Sequence, residues 1–378
     1  MKRMLLFTLL FSIAGVPVLR ATVRDTIITP FYFTILGIGT KNAQVAVIGN
    51  IAPNGFTGTQ VGGIFNIGTG TISGMQVAGV FNHANDSLTG VQFAGCMNTV
   101  HGNVRGLQAA GTLNATDRNV FGLQLAGAAN IAAGDVSGAQ VAGGINIAAG
   151  DVSQLQVSGG MNYARNVRGL QITGGLNVAS GTVSGMQISG GMNYARNVKG
   201  IQLGVFNFAD SVDGAMIGLF SFARHGYHKI ELGWNETTPL NFSFLTGGKS
   251  FHNIFSLAFD PRPRQPYWGF GYGVGTAFKI HRKVDMDITA VEYHINQGDF
   301  SESMSDLFKL SVTFDAHLTK NLSLAAGPSL NIFVSDLHPN YGETTVTGFA
   351  PYYFFSQTYN NRWNAKAWVG VNISIRFL

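Results

Sequence analysis

Two sets of residues have the type and spacing to do chemistry, and both point to hydrogen bonding and charge pairing. The first set is a column of amides: Gln44, Gln60, Gln76, Gln92, Gln108, Gln124, Gln140, Gln156, Gln171, Gln187 and Gln202 recur every 16 residues, with two steps shorter by one. Six residues after each comes Asn (Asn50, Asn66, Asn82, Asn98, Asn114, Asn130, Asn146, Asn162, Asn177, Asn193), the interval tightening to five at Asn207. If successive units stack, Gln lies above Gln and Asn above Asn about 4.8 Å apart, the spacing at which carboxamides bond along a ladder. The second set is titratable. Asp285, Asp287, Lys309, Asp315, His317, Lys366 and Arg376 share one parity in alternating segments near the C-terminus. Such residues face the lumen if those segments close into a barrel, where opposite charges fill an eight-stranded interior by pairing or, in a wider barrel, line a pore.

Signatures of bond-making chemistry are absent. The sequence has no HExxH, no Gly-x-Ser-x-Gly elbow, no phosphate-binding Gly-x-x-x-x-Gly-Lys and no Cys pair for zinc. GFGYGVG at 269–275 resembles a phosphate loop only in its glycine content, and its alternation with aromatic residues reads as a strand. Among the scattered histidines His225 and His228 are the one near pair, expected at a domain junction rather than on a metal. The lone Cys96, inside a repeat, offers no disulfide framework and reads as a small apolar core residue. A non-enzymatic protein without cofactor or metal is expected.

Composition narrows the class. Of 378 residues only 11% are charged and 50 are Gly, too little charge to cover a conventional water-facing surface. Lys2 and Arg3 precede the apolar run from Met4 to Ala14, and Ala21 closes the segment, which reads as a secretory signal peptide over residues 1–21. Lys2, Arg3 and Arg20 account for three positive charges, so cleavage after Ala21 lowers the net +5 to +2 (5 − 3). That charge, with no Lys/Arg cluster, gives nucleic acid no electrostatic footprint.

The elements that must position these residues follow from the pattern around them. Apolar residues flank each amide, as in Leu170 and Ile172, and Gly follows three after Gln in nine copies (Gly63 through Gly190). Alternation of this kind marks strands with one buried face, and the glycines mark corners. From Gln44 to Ala209 the charged residues are Asp86, Arg105, Asp117, Arg118, Asp135, Asp151, Arg165, Arg168, Arg196 and Lys199, all nine to thirteen residues after a Gln. One unit therefore reads as a strand around Gln, a corner, a short strand around Asn and a polar turn. Stacked units make a parallel β-solenoid or β-roll of about eleven coils over residues 44–226, behind an N-terminal cap at 22–43. The competing architecture is one large β-barrel in which each unit is a transmembrane strand. Nearly uniform turns and a glycine recurring in mid-strand count against it.

Past Ala223 the pattern changes. In YWGFGYGVGTAFKI, Trp268, Phe270, Tyr272, Val274, Phe278 and Ile280 share one face while Gly269, Gly271, Gly273 and Gly275 share the other. Tight turns at His281 to Lys283 and Thr319 to Asn321 alternate with long polar loops, and eight candidate strands lie within 227–378, the smallest number that closes an outer-membrane-type barrel.

The final alternating strand, ending Ile375, Arg376, Phe377, Leu378, is similar to the closing strands of bacterial outer-membrane β-barrels, although the aromatic residue is here penultimate. The Gly-x-Gln…Asn units, as in GIQLGVFNFA at Gly200 to Ala209, resemble the surface-repeat proteins of Gram-negative bacteria. These resemblances imply an exported protein of the outer membrane. Its partners would be membrane lipid, the barrel-assembly machinery and a glycan or protein ligand on the repeats. A structural or adhesive platform is the expected role, with a transport pore as the alternative if the repeats are barrel strands. An even-stranded barrel also begins and ends on the periplasmic side, so either the array is periplasmic, or the count of eight is off and the array lies on the cell surface, or some repeats join the barrel.

Overall fold

The computed structural model describes residues 32–39, 41–262, 266–301, 303–338, 346 and 348–377. The expected signal peptide at 1–21 and most of the expected cap at 22–43 lie outside them. Among the described residues every regular element is a strand: 24 form a parallel assembly from Tyr32 to His225, and nine form an antiparallel sheet from Tyr227 to Phe377.

The parallel assembly is the β-solenoid, and the single large barrel is not formed. Each coil pairs in register with the next, Gln60 beside Gln76 and Asn66 beside Asn82, and this continues to Gln202 and Asn207. Tyr32–Ile38 stacks on the first Gln coil, with Tyr32 beside Gln44. At the other end a twelfth coil, without either amide, sets Met216 on Gln202 and Ser221 on Asn207. About twelve coils make a rod of roughly 55 Å.

Each coil has a third side that the two-strand unit omits. From Gln60 onward an aliphatic or aromatic residue stands four before each Gln, and Phe56, Ile72, Leu88, Val104, Val120, Val136, Val152, Val167, Val183 and Val198 form a buried column with the alanines two after Asn. The later members pair only through isolated bridges, Val136 to Val152 to Val167 to Val183. Early coils turn into this side at Gly58, Gly74, Gly90 and Gly106, whose φ of +128° to +138° suits glycine. A second column, from Gly63 onward, forms the corner between the Gln and Asn sides, where a Cβ on Gly79 would lie 2.2 Å from the Gly63 carbonyl oxygen.

The antiparallel sheet closes. Tyr227–Asn235 pairs with Leu240–Gly247 on one side and with the last strand, Trp363–Phe377, on the other. Eight strands complete the circle, and Phe355–Tyr359 adds a short ninth as a hairpin on the last strand. Strand alternation is as expected: Phe270, Phe278, Leu310 and Phe314 point outward while Gly271, Gly273, Asp287 and Asp315 are buried within. Short connections, at Arg282–Lys283 and from Leu318 to Asn321, lie at the end that also carries the chain terminus.

The solenoid joins the barrel at that same end. Its last coil packs on the outer wall: Asn253 Nδ2 donates to Gly218 O at 2.7 Å, Tyr272 OH to the same oxygen at 3.2 Å, and Thr246 Oγ1 to Ser221 O at 3.0 Å. His228 sits in this junction, donating to Ala223 O and meeting the tilted ring of Phe222 at 4.7 Å between centres, whereas His225 is exposed.

Candidate functional site

Three polar systems carry the chemistry, and the amide ladders come first because the fold depends on them. Gln124, Gln140, Gln156, Gln171 and Gln187 are fully buried. Each donates from Nε2 to Oε1 of the Gln one coil earlier, at 2.7 to 2.8 Å. Asn130, Asn146, Asn162, Asn177 and Asn193 are equally buried and donate the other way, from Nδ2 to Oδ1 of the Asn one coil later, at 2.9 to 3.0 Å. The two ladders thus carry opposed donor directions, and their amide dipoles oppose along the rod. Each ends in one orphan acceptor, Asn50 Oδ1 at the N-terminal end and Gln202 Oε1 against Met216 at the other. The buried face of each strand is therefore the amide face, while the flanking apolar residues point outward and are half-buried.

Cys96 follows the outward pattern. It is exposed, with Sγ 3.9 Å from Thr112 Oγ1, and is not the core residue expected, because its column four after Gln runs along the outer corner beside Val80.

The second system is the barrel interior. Arg376 is its hub, with Nη1 2.9 Å from Asp287 Oδ2 and 3.5 Å from Asp315 Oδ2 while Nε pairs with Glu231. Lys229 pairs with Asp315, and Tyr227 OH donates to Asp287 at 3.3 Å. Asp285 lies nearer the short turns, between Lys249 at 2.9 Å and His317 at 3.3 Å. Lys309 is buried on a cavity of about 50 Å³ that it shares with Glu231 and Arg376 of this cluster and with Tyr293 and Asn372. Lys366 is only half-buried toward the long-loop end, its ammonium 5.3 Å from the Tyr353 ring centre. Asp287, Asp315 and Arg376 are thus brought together, Asp285 joins His317, Lys309 borders the cluster on that cavity, and Lys366 stands separately. Above them Glu236 accepts from Trp368 Nε1 at 2.8 Å and from Asn331 Nδ2 at 3.1 Å. Paired charges and hydrogen-bonded side chains occupy this lumen layer by layer.

The third system, an edge ladder on the charged side of the solenoid, was missed in the sequence. The side chains of Asn103, Asn119, Asp135 and Asn166 each accept a backbone N–H from the following coil, at 2.7 to 3.1 Å. Asp151 is its centre: Oδ1 accepts from Arg165 Nε and Asn166 Nδ2, both at 2.8 Å, and Oδ2 from Arg168 at 2.9 Å. Burial alone would raise the pKa of Asp151, but the hydrogen bonds from Arg165 and Asn166 and the two guanidinium charges hold it below the usual carboxylate value. The signal was a small polar residue five before each Gln, Asn103 through Thr182. In the barrel, Lys229 and Glu231 were also missed, although HKIELGWN alternates in the same way.

No group of three or more His, Cys, Asp or Glu arranged to hold a metal occurs among the described residues. No protein-family model, curated protein or solved structure matches the chain.

Proposed function

We propose that this chain is a non-enzymatic outer-membrane protein of the bacterial surface-repeat kind, in which the barrel is the anchor and the solenoid is a structural or adhesive platform. The observation that carries this reading is the closed eight-stranded barrel with an apolar exterior and an interior filled by the Arg376 cluster. Interiors of this size are packed rather than conducting. The transport alternative needed the repeats as barrel strands, and they are solenoid coils. Membrane lipid and the barrel-assembly machinery are the implied partners. Short turns and the chain terminus of such barrels face the periplasm, so the solenoid belongs on that side. Its ligand would then be a periplasmic glycan or protein bound along the edge from Asp135 to Arg168.

The test is to fold the full chain into detergent micelles and compare unboiled with boiled samples by gel electrophoresis, then to record conductance in a planar bilayer. A heat-dependent shift in mobility with no steady conductance is the expected result. A chain that stays soluble and monomeric without detergent would overturn the anchor, and porin-like conductance would overturn the platform.

A further inference from the structure

We infer that the solenoid lies against the membrane leaflet beside its barrel, with its Gln and Asn sides in contact with lipid acyl chains and its charged side turned to water. This rests on the reading that the barrel spans a membrane.

Three observations converge. The first is charge. All ten charged residues from Gln44 to Ala209 fall nine to thirteen residues after a Gln, which is the third side, so the Gln and Asn sides carry none along the coils between. A water-facing surface of that length without charge is foreign to soluble proteins.

The second is what those two sides present instead. Because the amides are turned inward, the outward positions are mainly Val, Leu, Ile, Met, Phe and Ala, with Tyr163 and Tyr194 and the polar Thr59, His83 and Thr99 among them, and Phe93 is 40%, Leu203 42%, Phe206 48% and Leu219 61% exposed. An open apolar groove of about 740 Å³ runs along the Gln side, lined by Val77, Phe93, Leu125 and Val141 over a floor that includes Ala109 and Gly111. On these two sides the amides point inward and are hydrogen-bonded while mostly apolar side chains point outward, and the backbone is satisfied by pairing between coils, as contact with hydrocarbon requires.

The third is continuity with the barrel wall. The rings of Phe208 and Phe220 on the Asn side lie 6.0 Å apart, Phe220 meets Phe255 at 5.9 Å, and Phe255 meets Tyr272 at 5.5 Å. Phe255 and Tyr272 belong to the outward wall that also carries Leu257 and Phe270. The apolar surface thus passes from the barrel to the solenoid through these rings, with Glu292 beside Tyr272 and His294 beside Phe270 as the polar groups that border it on the barrel wall. A second copy would be the other way to cover an apolar side. However, the Gln and Asn sides meet at the glycine corner, so a folded partner seated on one leaves the other bare, whereas fluid acyl chains cover both.

The experiment uses the full chain in a Cys96→Ser background, reconstituted into phosphatidylethanolamine/phosphatidylglycerol vesicles with or without brominated acyl chains. A single fluorophore is attached through Phe93→Cys or Leu203→Cys on the solenoid, Phe270→Cys on the barrel wall, or Arg118→Cys on the charged side. Brominated lipid should quench the probes at 93 and 203 to within about twofold of the probe at 270, and leave the probe at 118 nearly unquenched. Quenching at 270 alone would overturn the inference while sparing the barrel reading. Absence of quenching at 270 as well would remove both. Protection of 93 and 203 from an aqueous thiol reagent without quenching, accompanied by dimers on crosslinking, would replace lipid with a second copy.

Discussion

Gln124 is held from both sides: its Nε2 donates to Gln108 at 2.8 Å and its Oε1 accepts from Gln140 at 2.8 Å. Gln124→Glu deletes the donor and sets a fully buried carboxylate against the Gln108 oxygen, which should cost roughly 3–5 kcal/mol, the scale of an uncompensated buried charge. Gln44, at the first Gln coil, accepts from Gln60 at 2.9 Å and has no Gln on its other side, so a carboxylate preserves its ladder bond and, although Gln44 is also buried, Gln44→Glu should cost clearly less than Gln124→Glu. Urea midpoints of the two variants check the difference, and equal losses would count against the ladder. Asp151 adds a pH dependence. Its folded pKa is depressed, so its contribution is complete above the unfolded value of about 3.9 and is lost as pH falls through that value toward the folded one. Stability measured from pH 6 to pH 3 should therefore fall, and Asp151→Asn should flatten part of that slope. The pairing arginines are exposed, so the effect is small.

At the scale of the coil, glycine decides how closely neighbouring turns approach. Gly106 has φ +134°, and a Cβ there would lie 2.0 Å from the Gly90 carbonyl oxygen, so Gly106→Ala should cost roughly 3 kcal/mol or more in strain and overpacking. Gly160 has no such φ and its nearest oxygen is at 2.9 Å, so Gly160→Ala should cost about 1 kcal/mol. Urea melts of both variants give the comparison. The amide columns, the corner glycines and the two-domain division were legible in the sequence because each is a repeated residue type at a repeated interval. Val136 and its column were equally regular, but a lone aliphatic residue beside a polar turn looks like turn filler until a third side is seen to need a floor. Met216 and Ser221 hid the twelfth coil by replacing both marker amides. Which face is buried was also hidden, since apolar residues beside Gln ordinarily mark the inside, and here ladder bonding reverses the assignment. Arg376 was placed in the lumen by parity alone, but the partners it selects depend on barrel stagger, which alternation does not encode.

For the molecule as a whole, the junction couples two folds of different kinds. Asn253 bridges Gly218 O at 2.7 Å and Tyr272 OH at 2.8 Å, covering the last coil with a side chain from the barrel wall. Asn253→Ala should lower the unfolding midpoint of the solenoid by about 1–2 kcal/mol equivalent while leaving the heat-dependent gel shift of the barrel in place. Loss of both together would mean that Asn253 belongs to the barrel core instead. The opposed ladders have a consequence of their own for how such a gene can change. Each interior coil donates once and accepts once in both ladders, and the unpaired acceptors sit only at Asn50 and Gln202. A tandem duplication of 48 nucleotides, encoding one 16-residue coil, would add one bond to each ladder and create no new defect at either terminus. Deleting one coil would remove as little. Rod length is thus open to unequal recombination in whole-coil steps, and the identical SGGMNYARNV segments at 158–167 and 189–198 are the kind of sequence on which such exchange acts.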